Sequence, residues 1–466
     1  MAVQLWRLAD LEQANSRGRS FRARAYRRAV WSLDHLSPEL RESPEEMLAV
    51  PGIGAAIAGL ITEFRANGDL DAVTARQQRL PRQAWALSRL PRMTPNRLQA
   101  LKADLDIETT ADLREAILRG DAQALPRVGP QTAAYWLRTI DEYREGLPIY
   151  LAVGLAQQLV AHIEEHVPGS RVRVAGAVAR LDEWIKEIEL AVSDARGVEE
   201  FLVSSAAVAG LPVPVKVTNE LAEVPAGAVL SGALRGDLHV HSDWSPDGRQ
   251  SLAQIVAVAA ARGYEYIGIT DHAFGLRFGG LDAERLREQR AEVETLQGKH
   301  PEIAILHGAE LNIARDGSVD FDLHLLSWLD YTVAGLHSFL SLERDEQTAR
   351  VMTAIANPEI DVIAHLTGRR IGIRPPIDVD LVPIFAAAAD RGTVLEVNGH
   401  LDRLDLSADL IKTASGYGVD FVANSDSHRP TEFANVTNAC VLLQRAGVTS
   451  ESVVNTLSLE ALRKRL

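Results

Sequence analysis

The feature that most constrains this chain is an alternation of strand-like and helix-like segments from Leu234 to the C-terminus, with imidazoles and carboxylates collected at the strand ends. Short apolar runs read as strands over residues 234–239, 266–270, 303–306, 332–336, 362–365, 393–397 and 419–424. Amphipathic stretches over residues 252–262, 283–296 and 381–391 separate them. Strands alternating with helices in this way make a parallel sheet, and seven of them predict a barrel of the (β/α) kind. His239 and His241 follow the first strand, with Asp247 in the next loop and Asp243 as its competitor. Asp271 and His272 end the second strand, the third leads to Glu310, and the fourth leads to His337. His365 ends the fifth, Glu396 and Asn398 the sixth, and Asp426 and His428 the seventh. The C-terminal rim of such a barrel is where active sites are built. One His-X-His pair would be a weak signal, since either ring could be a hydrogen-bonded core residue. Convergence from nearly every strand is hard to explain by packing alone. His300, His307, His324 and His400 fall outside this pattern and read as solvent-facing or locally hydrogen-bonded.

Composition bounds the rest. With 466 residues, 46% hydrophobic and 24% charged, the chain has room for about three domains and the make-up of an ordinary soluble protein. A lone cysteine, Cys440, excludes an intramolecular disulfide and a thiolate cluster, as suits a reducing cytosol. The first residues carry charge early, and no long uncharged apolar run occurs, so a cytoplasmic location is expected. The net charge of −14 argues against non-specific coating of nucleic acid, but the charge is uneven. Residues 1–146 hold 21 Lys and Arg against 19 Asp and Glu, a balance of +2, so the remainder carries −16.

Residues 1–146 read as helices joined by short turns. Three punctuations look like one device repeated: Val50-Pro51-Gly52-Ile53-Gly54, Leu90-Pro91-Arg92-Met93-Thr94-Pro95 and Leu125-Pro126-Arg127-Val128-Gly129-Pro130. An amphipathic stretch follows each, which is the look of helix-hairpin-helix units. Glycine there lets backbone N–H groups at a helix N-terminus approach a phosphate closely. Only the first copy keeps both glycines, so one functional hairpin and two structural relics are expected, against three plain helix-helix turns. Six arginines fall between residues 17 and 28, and Arg22, Arg24, Arg27 and Arg28, interleaved with Phe21 and Tyr26, are candidate phosphate contacts. The plainer reading is a solvated helix face with Phe21, Ala25 and Ala29 turned inward, and the two readings can hold together. Residues 147–230 change character: a helical stretch over 151–166 precedes strand-like segments at 171–175, 187–192 and 213–217, a small α+β element.

The strings DLHVHSDWSPDG, GITDHA, GAEL, GLHS, AHLTGR and NSDSH resemble, in order and spacing, the PHP (polymerase and histidinol phosphatase) superfamily. FRARAYRRA and VPGIGAAIAGLITEF resemble the opening of bacterial family X DNA polymerases, which end in such a domain. The resemblance implies three parts: an all-α helix-hairpin-helix region over 1–146, a small α+β remnant of a nucleotidyltransferase over 147–230, and an α/β PHP domain, a distorted (β/α)7 barrel, over 234–466. It fills all nine ligand positions: His239, His241, Asp247, His272, Glu310, His337, His365, Asp426 and His428. One metal would be held by His239, His241, Glu310 and Asp426. A second would share Glu310 and add His337 and His365, and a third would take Asp247, His272 and His428. Imidazole and carboxylate donors suit manganese, zinc or iron. Arg369 and Arg374 are candidates for clamping a phosphate, the alternative being a surface pair.

The polymerase half of the resemblance fails at its own motif. The Gly-Ser pair corresponds to Gly176-Ala177, and the Asp-X-Asp strand to Glu187-Ile188-Glu189. The extra methylenes suit octahedral magnesium poorly. Too little chain precedes the PHP part to complete a palm. The lysine that a Schiff-base lyase needs is replaced at the corresponding place by Leu60. The leading expectation is a metal-dependent phosphoesterase acting on DNA, as a 3′-5′ exonuclease or 3′-end phosphatase in DNA repair. A small-molecule phosphatase of the histidinol-phosphatase type and a non-catalytic DNA-binding module are the alternatives.

Overall fold

A computed structural model of the chain describes residues 1, 4–5, 8–9, 12, 21–34, 47–48, 50, 52–67, 70–73, 87, 90, 93, 95–125, 128–142, 146–204, 211, 213–219, 228–275 and 279–466. The chain divides into two compact units. The first comprises Met1–Val178, Asp182–Leu221 and Gly372–Pro375; the second comprises Ala179–Leu181, Ala222–Ile371 and Pro376–Leu466. The α+β segment therefore falls mainly with the helical region. No helix among the described residues is long and apolar enough to cross a membrane.

The three punctuations of the first unit share one backbone turn. Val50 N donates to Met47 O and Ile53 N to Val50 O, at 3.2 and 3.0 Å. Leu90 N donates to Leu87 O and Met93 N to Leu90 O, again at 3.2 and 3.0 Å. Leu125 N donates to Ala122 O and Val128 N to Leu125 O, at 3.4 and 3.1 Å. Met47, Ile53, Leu87, Leu90, Met93, Leu125 and Val128 are buried, each contributing about 1.5–3 kcal/mol where burial is complete. Apolar anchors three residues apart thus hold the turn even where glycine is gone. The helices Ala55–Asn67, Pro95–Leu105 and Pro130–Glu142 follow the three turns. Trp136, fully buried, packs with Leu101, Leu113 and Ile117 in the core of the second and third repeats.

The arginine-rich stretch forms the helix Phe21–Asp34. Ala23, Ala29 and Val30 are its buried residues, whereas Phe21 is 80% exposed. The expected inward role of Phe21 is therefore corrected: the helix begins at that residue, and the apolar stripe runs through Ala23, Tyr26, Ala29 and Val30.

Further on, β1 (Leu147–Pro148) pairs antiparallel with β3 (Trp184–Ile185). A three-stranded sheet has the order β2 (Val172–Ala175), β4 (Ile188–Val192), β5 (Val215–Thr218), antiparallel and then parallel.

The second unit is built on parallel strands. β6 (Gly236–Asp237), β7 (Tyr266–Ile269) and β8 (Ala304–His307) form one sheet. β9 (Glu310–Asn312), β10 (Val333–Gly335), β11 (Val362–Ile363), β12 (Val394–Asn398) and β13 (Phe421–Asn424) form the other. Isolated parallel bridges join their edges, Val240 to Ser427 and His272 to Glu310. The seven predicted strands thus coincide with β6, β7, β8, β10, β11, β12 and β13, and Glu310 sits on a short extra strand. Alternate residues serve opposite faces. Ile267 and Ile269 pack on Leu252, Ile255 and Ala259 of the helix Leu252–Ala261. Tyr266 joins Leu238, Leu306, Val333, Val362, Val394 and Val422 in a separate core. Strands buried on both faces are the mark of a parallel sheet covered by helices.

Candidate metal centre

Strand alternation aims the first two imidazoles. Val240 packs in the core shared with the helix Leu252–Ala261, so His239 and His241, one residue to either side, point the other way. Both are fully buried. The loop that follows is fastened at both ends: Asp243 N donates to Gln250 O, and Arg249 N to His428 O. Ser251 then caps the next helix in a reciprocal pair with Gln254. This loop holds Asp247 Oδ2 at 3.5 Å from His272 Nε2 and 3.5 Å from His428 Nε2. Asp243 makes neither contact.

Four donors face one another at the centre. His239 Nε2 lies 3.1 Å from His241 Nε2, 3.5 Å from Glu310 Oε2 and 3.6 Å from Asp426 Oδ1. His241 Nε2 lies 3.5 Å from Glu310 Oε2 and 3.3 Å from Asp426 Oδ1. A tetrahedron with bonds of about 2.1 Å has edges of roughly 3.4 Å, so these separations fit ligands around one ion. The tautomers agree. His239 Nδ1 is 2.6 Å from Glu396 Oε1, which can only accept, so Nδ1 carries the proton and Nε2 presents a lone pair. The 3.1 Å contact between the two Nε2 atoms needs a proton or a metal ion between them.

The other predicted ligands close around the same carboxylate. Glu310 Oε1 is 3.0 Å from His337 Nε2 and 2.8 Å from His365 Nε2, and Glu310 Oε2 is 2.7 Å from His272 Nδ1. His337 Nε2 is buried without a hydrogen bond of acceptable geometry, although its Nδ1 donates to Asn312 Oδ1 at 2.9 Å. His428 Nδ1 donates to Asp426 O at 2.9 Å, turning Nε2 toward Asp247. Gly335 is required here: a Cβ on it would lie 2.8 Å from Glu310 Oε1, His337 Cε1 and His365 Cε1. His365 and Asp426 adopt φ of 28° and 52°, a conformation that costs of order 1–3 kcal/mol and clusters at functional sites. The described residues include three groups here with donors close enough for one ion: His241, His272 and His428; His239, His241 and Glu310; His272, Glu310 and His337.

Carboxylates and imidazoles in the cluster shift one another's charge. Burial works against charge throughout, yet the imidazoles around them hold Glu310 and Asp426 well below the ordinary carboxylate range. Glu396, Asp426 and Glu310 hold His239 well above its ordinary value against the same burial. Glu310 and Asp247 likewise outweigh burial at His272, raising it to about 10. Burial pushes His241 down to about 3, helped by His428 and His272. A second layer orients the donors, as metal ligands require. Glu396 Oε2 accepts from His365 N at 2.8 Å, and Asn424 Nδ2 donates to Glu396 Oε1 at 3.0 Å. Asn398 Nδ2 donates to Asp426 Oδ2 at 3.0 Å.

Of the two expected phosphate clamps, Arg369 is held by backbone carbonyls. Arg369 is 6% exposed; its Nε donates to Arg403 O at 2.9 Å and its Nη2 to Leu404 O, so it braces that turn. Arg374 lies in Gly372–Pro375, which groups with the first unit. The arginine at the site is Arg403, whose Nε is 3.3 Å from Asp426 Oδ2. It lies in an irregular loop after β12 and belongs to no motif, so sequence offered no signal for it. His400 bonds Asp402 at 2.7 Å, His307 bonds Gln289 at 3.0 Å, and His300 bonds Glu302 at 2.9 Å, all outside the donor cluster.

In the first unit, Gly52 has φ of 94° and a side chain on Gly54 would meet nothing within 4 Å. The N-terminus of the helix Ala55–Asn67 beside Ile53 is thus open to approach. Arg22 lies 3.6 Å from Glu12, and Arg28 is exposed. The side chains of Arg24 and Arg27 lie outside the described residues. At the expected polymerase motif, the carboxyl carbon of Glu189 lies 2.4 Å from where a Cβ on Gly176 would be. β5 runs beside β4 with Lys216 opposite Glu189, and Lys216 Nζ lies 4.0 Å from Glu187 and 3.9 Å from Glu189.

Among known proteins, residues 237–435 match the PHP domain, and residues 1–70 match a helix-hairpin-helix domain. The DNA polymerase/3′-5′ exonuclease PolX of Bacillus subtilis is 24% identical across 96% of this chain and 95% of its own length. A probable phosphatase of Edwardsiella ictaluri is 27% identical over 47% of this chain and 89% of its own. The crystal structure of a histidinol phosphate phosphatase from Lactococcus lactis, solved with zinc, L-histidinol and phosphate, covers 46% of this chain at 20% identity and a TM-score of 0.36. Along nearly its whole length the chain is similar to this PolX, with the helix-hairpin-helix match at its N-terminal end and the PHP match in its C-terminal half.

Proposed function

We propose that the second unit is a metal-dependent phosphoesterase acting on DNA, as a 3′-5′ exonuclease or 3′-end phosphatase in cytoplasmic DNA repair. The observation that carries this reading is the set of separations among His239, His241, Glu310 and Asp426, which run from 3.1 to 3.6 Å. These four would hold one ion; Glu310, His337 and His365 a second; Asp247, His272 and His428 a third. Manganese, zinc and iron all accept such donors. Bound there, the ions lower the pKa of a water to about 7, hold phosphate oxygens and stabilise the leaving alcohol. The chain's own groups do the rest. Glu396 keeps His239 in one tautomer, Asn398 orients Asp426, and Arg403 adds a fixed positive charge beside Asp426. Counting β8 and β9 as one interrupted strand supports a seven-stranded (β/α) barrel, with the donors at its C-terminal mouth.

Gly52, Ile53 and Gly54 support DNA as the substrate, because the helix N-terminus they open suits a backbone phosphate. Arg22, Arg24, Arg27 and Arg28 are proposed to add charge. Residues 147–230 are proposed to be a nucleotidyltransferase remnant without polymerase activity. An ammonium 3.9–4.0 Å from both Glu187 and Glu189 supports this, since it occupies the charge that magnesium would satisfy. Leu60, packed with Leu8, Leu70 and Val73, supports the absence of a lyase.

A small-molecule phosphatase is the second reading, favoured by the phosphatase relatives that align with the C-terminal half. The test is to give purified protein and manganese either end-labelled oligonucleotides or histidinol phosphate. DNA shortening or 3′-phosphate release supports the proposal, and hydrolysis of histidinol phosphate alone supports the alternative. Shortening by His239→Ala at the parent rate would contradict the assignment.

A further inference from the structure

We propose that His162 and His166, with Glu165, form a second divalent-metal site on the helix Ile149–His166 of the first unit. The run His162-Ile163-Glu164-Glu165-His166 sets two imidazoles four residues apart, on one helix face. Donor atoms of His162, Glu165 and His166 all lie within 4.8 Å of one another, so a modest rotamer adjustment brings them around one ion.

Three further observations shape the pair for a cation. His166 Nδ1 is 2.9 Å from His162 O. A carbonyl only accepts, so Nδ1 carries the proton and Nε2 keeps the lone pair, the tautomer that ligating histidines adopt; Glu165 Oε2 lies 3.7 Å from that Nδ1. Phe201, on the helix Ala195–Ser204, backs both rings: its centroid is 5.2 Å from that of His162 and 5.5 Å from that of His166, the latter stacked at 20°. That support restricts ring rotation and lowers the ordering cost of binding. His166 also ends its helix, where the negative end of the dipole attracts positive charge. The side chains of Glu165 and His166 are 74% and 45% exposed, within reach of ions in solution. Two imidazoles and a carboxylate select a zinc-, nickel- or copper-like ion over magnesium or calcium. An ion there would hold the last turn of this helix, whose rings Phe201 backs.

The test uses the full chain without an affinity tag on an immobilised-nickel column. The parent is expected to be retained and to elute with imidazole, whereas H162N/H166N passes through and His300→Asn is retained. Equilibrium dialysis against zinc is expected to give about one equivalent less per chain for the double variant. Circular dichroism of the metal-free variant separates loss of ligands from loss of fold. Glu165→Gln, a milder change, is expected to elute at lower imidazole than the parent. Passage of the parent through the column, or equal retention of the double variant, overturns the site and leaves the His162–His166–Phe201 cluster as packing alone.

Discussion

Glu310 in the second unit and Glu189 in the first are both strand-borne carboxylates, with opposite surroundings. The Glu310 side chain is 1% exposed and meets five imidazoles between 2.7 and 3.5 Å. Glu189 is 24% exposed and meets Lys216 at 3.9 Å. The first carboxylate is surrounded by imidazoles, side chains that a metal ion can take as ligands; the second meets the chain's own ammonium. What separates the regions is the supporting layer. Glu396, Asn398, Asn312 and Gly335 fix the donors around Glu310, whereas Glu187 and Glu189 have partly exposed side chains beside Lys216. A buried charge without its partner is costly, so the proposed metal centre would depend on its ions in a way the other region would not.

This contrast can be broken most sharply at Glu310. Glu310→Gln is expected to lower metal-dependent hydrolysis by more than about 100-fold, beyond the roughly 10–100-fold effect of losing an outer partner; steady-state rates in manganese check it. Glu396→Gln, which alters the group facing His239 Nδ1, is expected to cost about 10–100-fold in metal affinity or rate, read by metal titration. Removing metal with a chelator is expected to lower the melting temperature of the second unit by about 5–10 °C, as for a site held at about 100 times its Kd. Calorimetry with and without manganese measures that shift. Glu187→Gln with Glu189→Gln should leave hydrolysis and metal content unchanged and alter stability by less than about 1 kcal/mol. A large loss of activity in that double variant would erase the distinction between the regions.

The candidate donors could be proposed from sequence because each follows a strand end and stands in a compact string such as GLHS or NSDSH. The strands themselves were legible from apolar runs bounded by turns. What escaped is set by tertiary structure alone. Arg403 and Asn312 act on ligands far away in sequence, and nothing local marks them. Arg369 looked like a free cation next to His365, but carbonyls from a distant turn bind it. Gly335 reads as an ordinary small residue until Glu310, His337 and His365 crowd its α-carbon. Phe21 read as an inward residue because the start of its helix could not be placed. The three hairpin turns were recognised by their punctuation, but the apolar residues that sustain the second and third were not.

Anomalous diffraction from crystals equilibrated with manganese tests the central claim most directly. The account predicts peaks among His239, His241, Glu310 and Asp426 and beside His337, His365, Asp247, His272 and His428, with none between Glu187 and Glu189. An empty mouth, or manganese bound at Glu187 and Glu189 in its place, would contradict it.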